Sequence, residues 1–122
     1  MARKILIVED NDNNRSLFRD ILTCYDYDVS VAADGVEGVA LARGLMPDLI
    51  LMDIQMPGMD GMIAGQILKR DPKTSNLKII ALTMEGEEEK FLAAGFDGYL
   101  SKPVDVADFV ATVQRYCEGG DR

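Results

Sequence analysis

Short apolar runs alternating with longer amphipathic segments predict a three-layer α/β fold, a five-stranded parallel sheet with helices on both faces. Right-handed crossovers with helices on both faces favour the strand order 2-1-3-4-5. A third observation concerns the strand ends. Ile5-Leu6-Ile7-Val8 runs into Glu9-Asp10, Leu49-Ile50-Leu51-Met52 into Asp53, and Gly98-Tyr99-Leu100-Ser101 into Lys102-Pro103. Ligands of open parallel sheets bind outside the carboxyl ends of the strands, so these charged residues are expected to converge.

The strands are read at Lys4–Val8, Asp28–Ala32, Asp48–Met52, Lys78–Leu82 and Gly98–Leu100. Asn13 or Asn14 is the expected cap of a first helix, with Leu17, Ile21 and Leu22 at helical spacing and Cys24 near its end. Gly35–Arg43 reads as a second helix, stopped by Gly44 and Pro47. Asp60-Gly61 opens a third that runs to Arg70 and ends at Asp71-Pro72. Glu87–Ala94 is a short fourth closed by Gly95, and the acids from Glu85 to Glu89 read as its solvated start. A fifth follows an Asp105 cap, with Val106, Phe109, Val110, Val113 and Cys117 on one stripe.

The 122 residues suit one core, so residues 1–118 are expected to form a single domain, with 119–122 a frayed tail or the start of a linker. With 48% hydrophobic and 28% charged residues the composition is globular. A net charge of −8, from 21 acids against 13 bases, repels nucleic acid phosphates and anionic membranes. Only four apolar residues separate Lys4 from Glu9, too few for a secretory signal, and the expected address is cytoplasmic. Cys24 and Cys117 lack metal-ligand spacing and are expected to be reduced thiols. Histidine is absent, which excludes imidazole-based triads, His-ligated zinc and a phosphohistidine within the chain.

In the expected strand order the ends of the first and third strands lie side by side, so Glu9, Asp10 and Asp53 share one crevice with Thr83 and Lys102 along its other side. Two carboxylates about 4 Å apart repel by roughly 4 kcal/mol at an effective dielectric near 20, so the cluster favours a cation. Hard oxygen donors with room for water suit Mg²⁺. A calcium loop beginning at Asp10 is excluded, because its sixth position is Arg15 rather than glycine and its twelfth is Ile21 rather than glutamate. Aspartate can attack phosphorus to form an acyl phosphate, which makes Asp53 the candidate nucleophile. The Thr83 hydroxyl and the Lys102 ammonium are the candidate partners of the phosphoryl oxygens.

Five pieces in order carry a resemblance over essentially the whole chain. They are Val8-Glu9-Asp10-Asn11, Asp53 through Gly61, Leu82-Thr83, Ala94 through Tyr99, and Ser101-Lys102-Pro103. The chain resembles the receiver domain of bacterial two-component response regulators, whose fold is flavodoxin-like. The resemblance implies that Asp53 accepts a phosphoryl group from a histidine kinase or histidine phosphotransfer protein. It implies Mg²⁺ bound by Asp10, Asp53 and the Gln55 carbonyl, with Glu9 assisting through water. Thr83 and Tyr99 would form the switch pair, and Lys102-Pro103 would be cis. A stand-alone receiver of this kind acts by changing its affinity for a downstream protein.

One departure marks the sequence: the stretch from Thr83 to Lys102 is a few residues shorter than the familiar receiver pattern, and Thr83 leads directly into Met84-Glu85-Gly86-Glu87. This implies that Met84 narrows access to the site and that the fourth helix is altered. Two rival readings use the same residues. A Mg²⁺-dependent aspartyl-phosphate phosphohydrolase would commonly carry an acid two residues after its nucleophile, where this chain has Gln55. A phosphate sink, or a receiver working without phosphate, is suggested by the altered Thr83–Glu87 segment.

Overall fold

A computed structural model of the chain describes residues 2–56, 58–84 and 87–119. Strands β1 (Lys4–Val8), β2 (Asp28–Ala32), β3 (Leu49–Asp53), β4 (Lys78–Met84) and β5 (Gly98–Lys102) alternate with helices α1 (Asp12–Cys24), α2 (Gly35–Leu45), α3 (Gly61–Arg70), α4 (Glu88–Ala93) and α5 (Val106–Gln114). All strand pairs are parallel and the order is β2-β1-β3-β4-β5, as expected from the crossover rules.

The period-two alternation of a strand divides the core into two layers. Leu6, Val8, Ile50, Met52, Ile79 and Ala81 point to one face, where Val39 and Ala42 of α2, Ala64 and Leu68 of α3, and Phe91 of α4 cover them. Their neighbours Ile5, Ile7, Leu49, Leu51, Ile80 and Leu82 point the other way, onto Phe18 and Leu22 of α1 and Phe109, Val110 and Val113 of α5. The rings of Phe18 and Phe109 stack with centroids 4.8 Å apart, joining α1 to α5. Val106, expected on the α5 stripe, stands outside the core and is exposed, while Cys117 is buried. Neither Cys24 nor Cys117 forms a disulfide.

Several element boundaries differ from the sequence reading. Asn11, not Asn13 or Asn14, caps α1: its side chain accepts from the Asn14 N–H, so the helix starts two residues after Asp10. Helix α2 continues through exposed Gly44 to Leu45 and stops at Met46, where φ is 48°. Pro47 bars the right-handed helical conformation at the residue before it, and this outweighs the propensity of Gly44. Helix α4 is shorter than read, with Glu87 at its cap position. Asp53, Thr83 and Lys102 all lie within strands rather than beyond them, because β3, β4 and β5 run further at their carboxyl ends. A π-helical turn, Arg115–Gly119, extends α5; of the tail expected at 119–122, Gly119 closes this turn and the rest lies outside the described residues. Within the acidic run, Glu85 and Gly86 lie outside them too.

One side chain ties the far end of the sheet together. Asp97 Oδ2 accepts from the Ile79 N–H at 2.8 Å and from Lys69 Nζ at 2.7 Å, and Lys69 also donates to the Leu77 carbonyl at 2.8 Å. The Tyr116 hydroxyl donates to the Asp97 carbonyl at 3.0 Å, so α3, β4, β5 and the end of α5 meet at this residue. Replacing Asp97 with alanine leaves the Ile79 N–H without its acceptor and removes a charge-assisted bond. Asp97→Ala is expected to lower stability by about 2 kcal/mol. Urea unfolding with an unchanged slope measures the loss.

Candidate functional site

Two main-chain bonds hold the acidic strand ends in place. The Glu9 N–H donates to the Ala32 carbonyl at 3.0 Å, fixing the exit of β1 against β2, and the Ile54 N–H donates to Leu82 at 3.1 Å, fixing the exit of β3 against β4. Helix α3 is then brought against the end of β3, where the Gly61 N–H donates to the Ile54 carbonyl at 3.0 Å. A Cβ at Gly61 would stand 2.1 Å from the Asp53 carbonyl oxygen, so only glycine permits that approach. Asp60 completes the entry to α3, its Oδ1 accepting from the Ile63 N–H at 2.9 Å.

Glu9, Asp10 and Asp53 converge as the strand order requires: one carboxylate oxygen from each lies within 4.8 Å of the other two. Glu9 and Asp53 are each only 1% exposed, whereas Asp10 opens to solvent. Lys102 reaches across from β5, its Nζ 2.8 Å from Asp53 Oδ1 and 3.8 Å from Glu9 Oε1. The Gln55 N–H donates to the same Asp53 oxygen at 3.3 Å. Glu9 Oε2 accepts from the Asn11 N–H at 3.1 Å, while Glu9 Oε1 is buried without a hydrogen bond among the described residues.

Burial, reinforced by the adjacent Asp53, pushes the Glu9 carboxyl up from 4.5 to about 7, against the opposing pull of the Asn11 N–H and Lys102. An orphaned buried oxygen and an all-oxygen donor set, in which burial and the neighbouring Asp53 disfavour the charge on Glu9, fit a small hard divalent cation such as Mg²⁺.

Thr83 lies on β4, 3% exposed, one position beyond Leu82, the register partner of Asp53. It faces Ser101 of β5, and two residues earlier on each strand Ala81 faces Tyr99, which is 42% exposed. Thr83 and Tyr99 therefore share the face covered by α4. Met84 turns to the opposite face and lines an apolar pocket of about 470 Å³ with Leu17, Phe18, Pro103 and Val104, bordering Lys102. The Lys102-Pro103 bond is cis.

The sequence reading overlooked Arg15, used there only to exclude calcium. Its Nη1 donates to the Glu9 carbonyl at 2.9 Å and lies 3.5 Å from the Asp10 carbonyl, and its Nη2 pairs with the Asp12 carboxylate. The Asp12–Arg15 spacing of i,i+3 was a visible signal for the last contact. Nothing in the sequence pattern announces the carbonyl contacts, which depend on the path of the loop.

The profile of the response regulator receiver domain family matches residues 5–114. The polar-differentiation response regulator DivK of Brucella anthropi is 40% identical over 119 residues, covering 95% of this chain and 97% of its own. Among solved structures, the chemotaxis response regulator CheY4 of Vibrio cholerae superposes with a TM-score of 0.87 at 31% identity, covering 95% of this chain and 99% of its own. The receiver domain of sensor histidine kinase PA1611 from Pseudomonas aeruginosa PAO1, with a magnesium ion coordinated in its active site cleft, gives 0.86 at 34% identity, covering 96% of this chain and 98% of its own.

The raised Glu9 carboxyl has a direct thermodynamic consequence. Because the folded chain holds this proton more tightly than the unfolded chain, the Glu9 contribution favours the metal-free fold at low pH and is lost as pH rises from 4.5 through about 7. A shift of that size corresponds to about 3 kcal/mol. Glu9→Gln, lacking the titration, is expected to remove this component and to be the more stable protein at pH 8. Urea unfolding of both proteins without divalent metal, from pH 5 to pH 8, measures the difference.

Proposed function

This chain belongs to the response regulator receiver domain family, and from that premise we propose that Asp53 is its phosphoacceptor, in a Mg²⁺ site formed by Glu9, Asp10, Asp53 and the Gln55 carbonyl. The family places the chain in two-component phosphorylation signalling. The observation that carries the residue assignment is a buried Asp53 carboxylate paired with Lys102 inside a cluster of three acids. The magnesium in the Pseudomonas aeruginosa receiver supports the choice of metal.

The donor in this reading is a phosphohistidine of a histidine kinase or histidine phosphotransfer protein, and with no histidine among these 122 residues it is supplied by another protein. An Asp53 carboxylate oxygen attacks phosphorus, the O–P bond forms as the N–P bond breaks, and the donor imidazole leaves with a proton from solvent. When bound, Mg²⁺ neutralises charge on the transferring phosphoryl oxygens. Lys102, paired with Asp53 before transfer, moves its ammonium to a phosphoryl oxygen, and the Thr83 hydroxyl donates to another. Transfer is a single slow cycle, including slow self-dephosphorylation, and Gln55 stands where phosphohydrolases of comparable chemistry commonly carry a second acid.

Incubation with acetyl phosphate and Mg²⁺ is expected to add one phosphoryl group to the wild-type chain and none to Asp53→Asn, as read by intact mass. No wild-type adduct, or equal labelling of the variant, would sink the assignment.

The short α4, whose cap residue Glu87 makes no side-chain capping bond and pairs with Lys90 instead, favours a second reading in which phosphorylation occurs without a conventional Thr83–Tyr99 switch, as in a phosphate sink. With a switch, a phosphoryl mimic such as beryllofluoride is expected to move backbone NMR resonances across residues 84–100. Binding of the mimic with those resonances unmoved would select the second reading.

A further inference from the structure

Arg15 is held by three acceptors in the loop between β1 and α1: the Glu9 carbonyl at 2.9 Å, the Asp10 carbonyl at 3.5 Å and the Asp12 carboxylate. Its side chain is only 20% exposed although it stands on the first turn of an exposed helix start. Helix capping does not require this arrangement, because Asn11 already accepts from the Asn14 N–H. The two carbonyls belong to the residues whose side chains provide two of the three clustered carboxylates. The same loop carries the Asn11 N–H that holds Glu9 Oε2. The loop path therefore sets where both carboxylates aim, and a rigid guanidinium fork is suited to holding that path.

We infer that Arg15 is a positioning residue of the metal centre, whose guanidinium clamps the main chain of Glu9 and Asp10 and so fixes the separation and aim of their carboxylates. This rests on the reading of the cluster as a Mg²⁺ site. Arg15 touches neither the metal nor the phosphoryl group and acts through the loop. Electrostatics makes the inference distinguishable from a plain charge effect. Removing a nearby cation by itself strengthens binding of a divalent cation, whereas releasing the loop weakens it.

The experiment is a Mg²⁺ titration of the intact chain at fixed pH, followed by calorimetry and by amide NMR shifts, well below the melting temperature of every protein used. Arg15→Ala is expected to weaken Mg²⁺ binding roughly tenfold, in the range of outer-shell partners of metal ligands, and to move the metal-free amide resonances of residues 9–11. Arg15→Lys keeps the charge without the fork and is expected to lose affinity to a smaller degree. Thr23→Ala removes the bond from the Thr23 hydroxyl to the Arg19 carbonyl at the far end of α1 and is expected to retain wild-type affinity. Wild-type or tighter binding by Arg15→Ala overturns the inference, as does an equal loss in Thr23→Ala. If Arg15→Ala does not fold, wild-type affinity in Arg15→Lys overturns it instead. A wild-type chain that binds no Mg²⁺ fails differently, overturning the site reading itself.

Discussion

Crowding of negative charge at the carboxyl edge of the sheet is the constraint from which the other features follow. β1 pairs with β3 and the chain exits both strands on the same edge, so Glu9 and Asp53 are brought together nearly out of contact with water. Lys102 and two main-chain N–H groups compensate in part, and Glu9 Oε1 is left over. An apolar replacement of similar volume would often be as stable or more so. The cluster thus works against the fold while matching the donor preferences of a hard cation.

The arrangement across the crevice completes this logic. Asp53, Thr83 and Lys102 come from three adjacent strands and are placed by ladder hydrogen bonds rather than by loops, which gives them the precision of the sheet itself. Of the three clustered acids, Asp10 alone faces solvent. The same sheet turns Thr83 and Tyr99 toward α4 and Met84 toward α1, so a change at the crevice has two separate faces through which to spread.

Most of this was legible in the sequence because it follows from rules that act at a distance of one or two residues. The unbroken apolar runs Ile5-Leu6-Ile7-Val8 and Leu49-Ile50-Leu51-Met52 specified strands buried on both faces, and crossover handedness then placed Glu9, Asp10 and Asp53 in one crevice. Helix ends were less legible, because competing local signals decide them. Asn11 took the cap from Asn13 and Asn14, and Pro47 overruled Gly44. The grip of Arg15 on two carbonyls, the junction at Asp97 and the π-helical turn were not legible at all, since each depends on a backbone path that no spacing pattern encodes.

The stack of Phe18 on Phe109 carries a consequence for how the chain is made. One layer of the sheet is covered by α2, α3 and α4, helices that emerge in succession close to the strands they shield. The other layer needs α1 and α5, which come from opposite ends of the described residues, and this layer is not complete until α5 has been synthesised. During translation the part of this layer that α5 covers stays greasy and unshielded until α5 has left the ribosome, the period in which such a chain is most exposed to association with its neighbours.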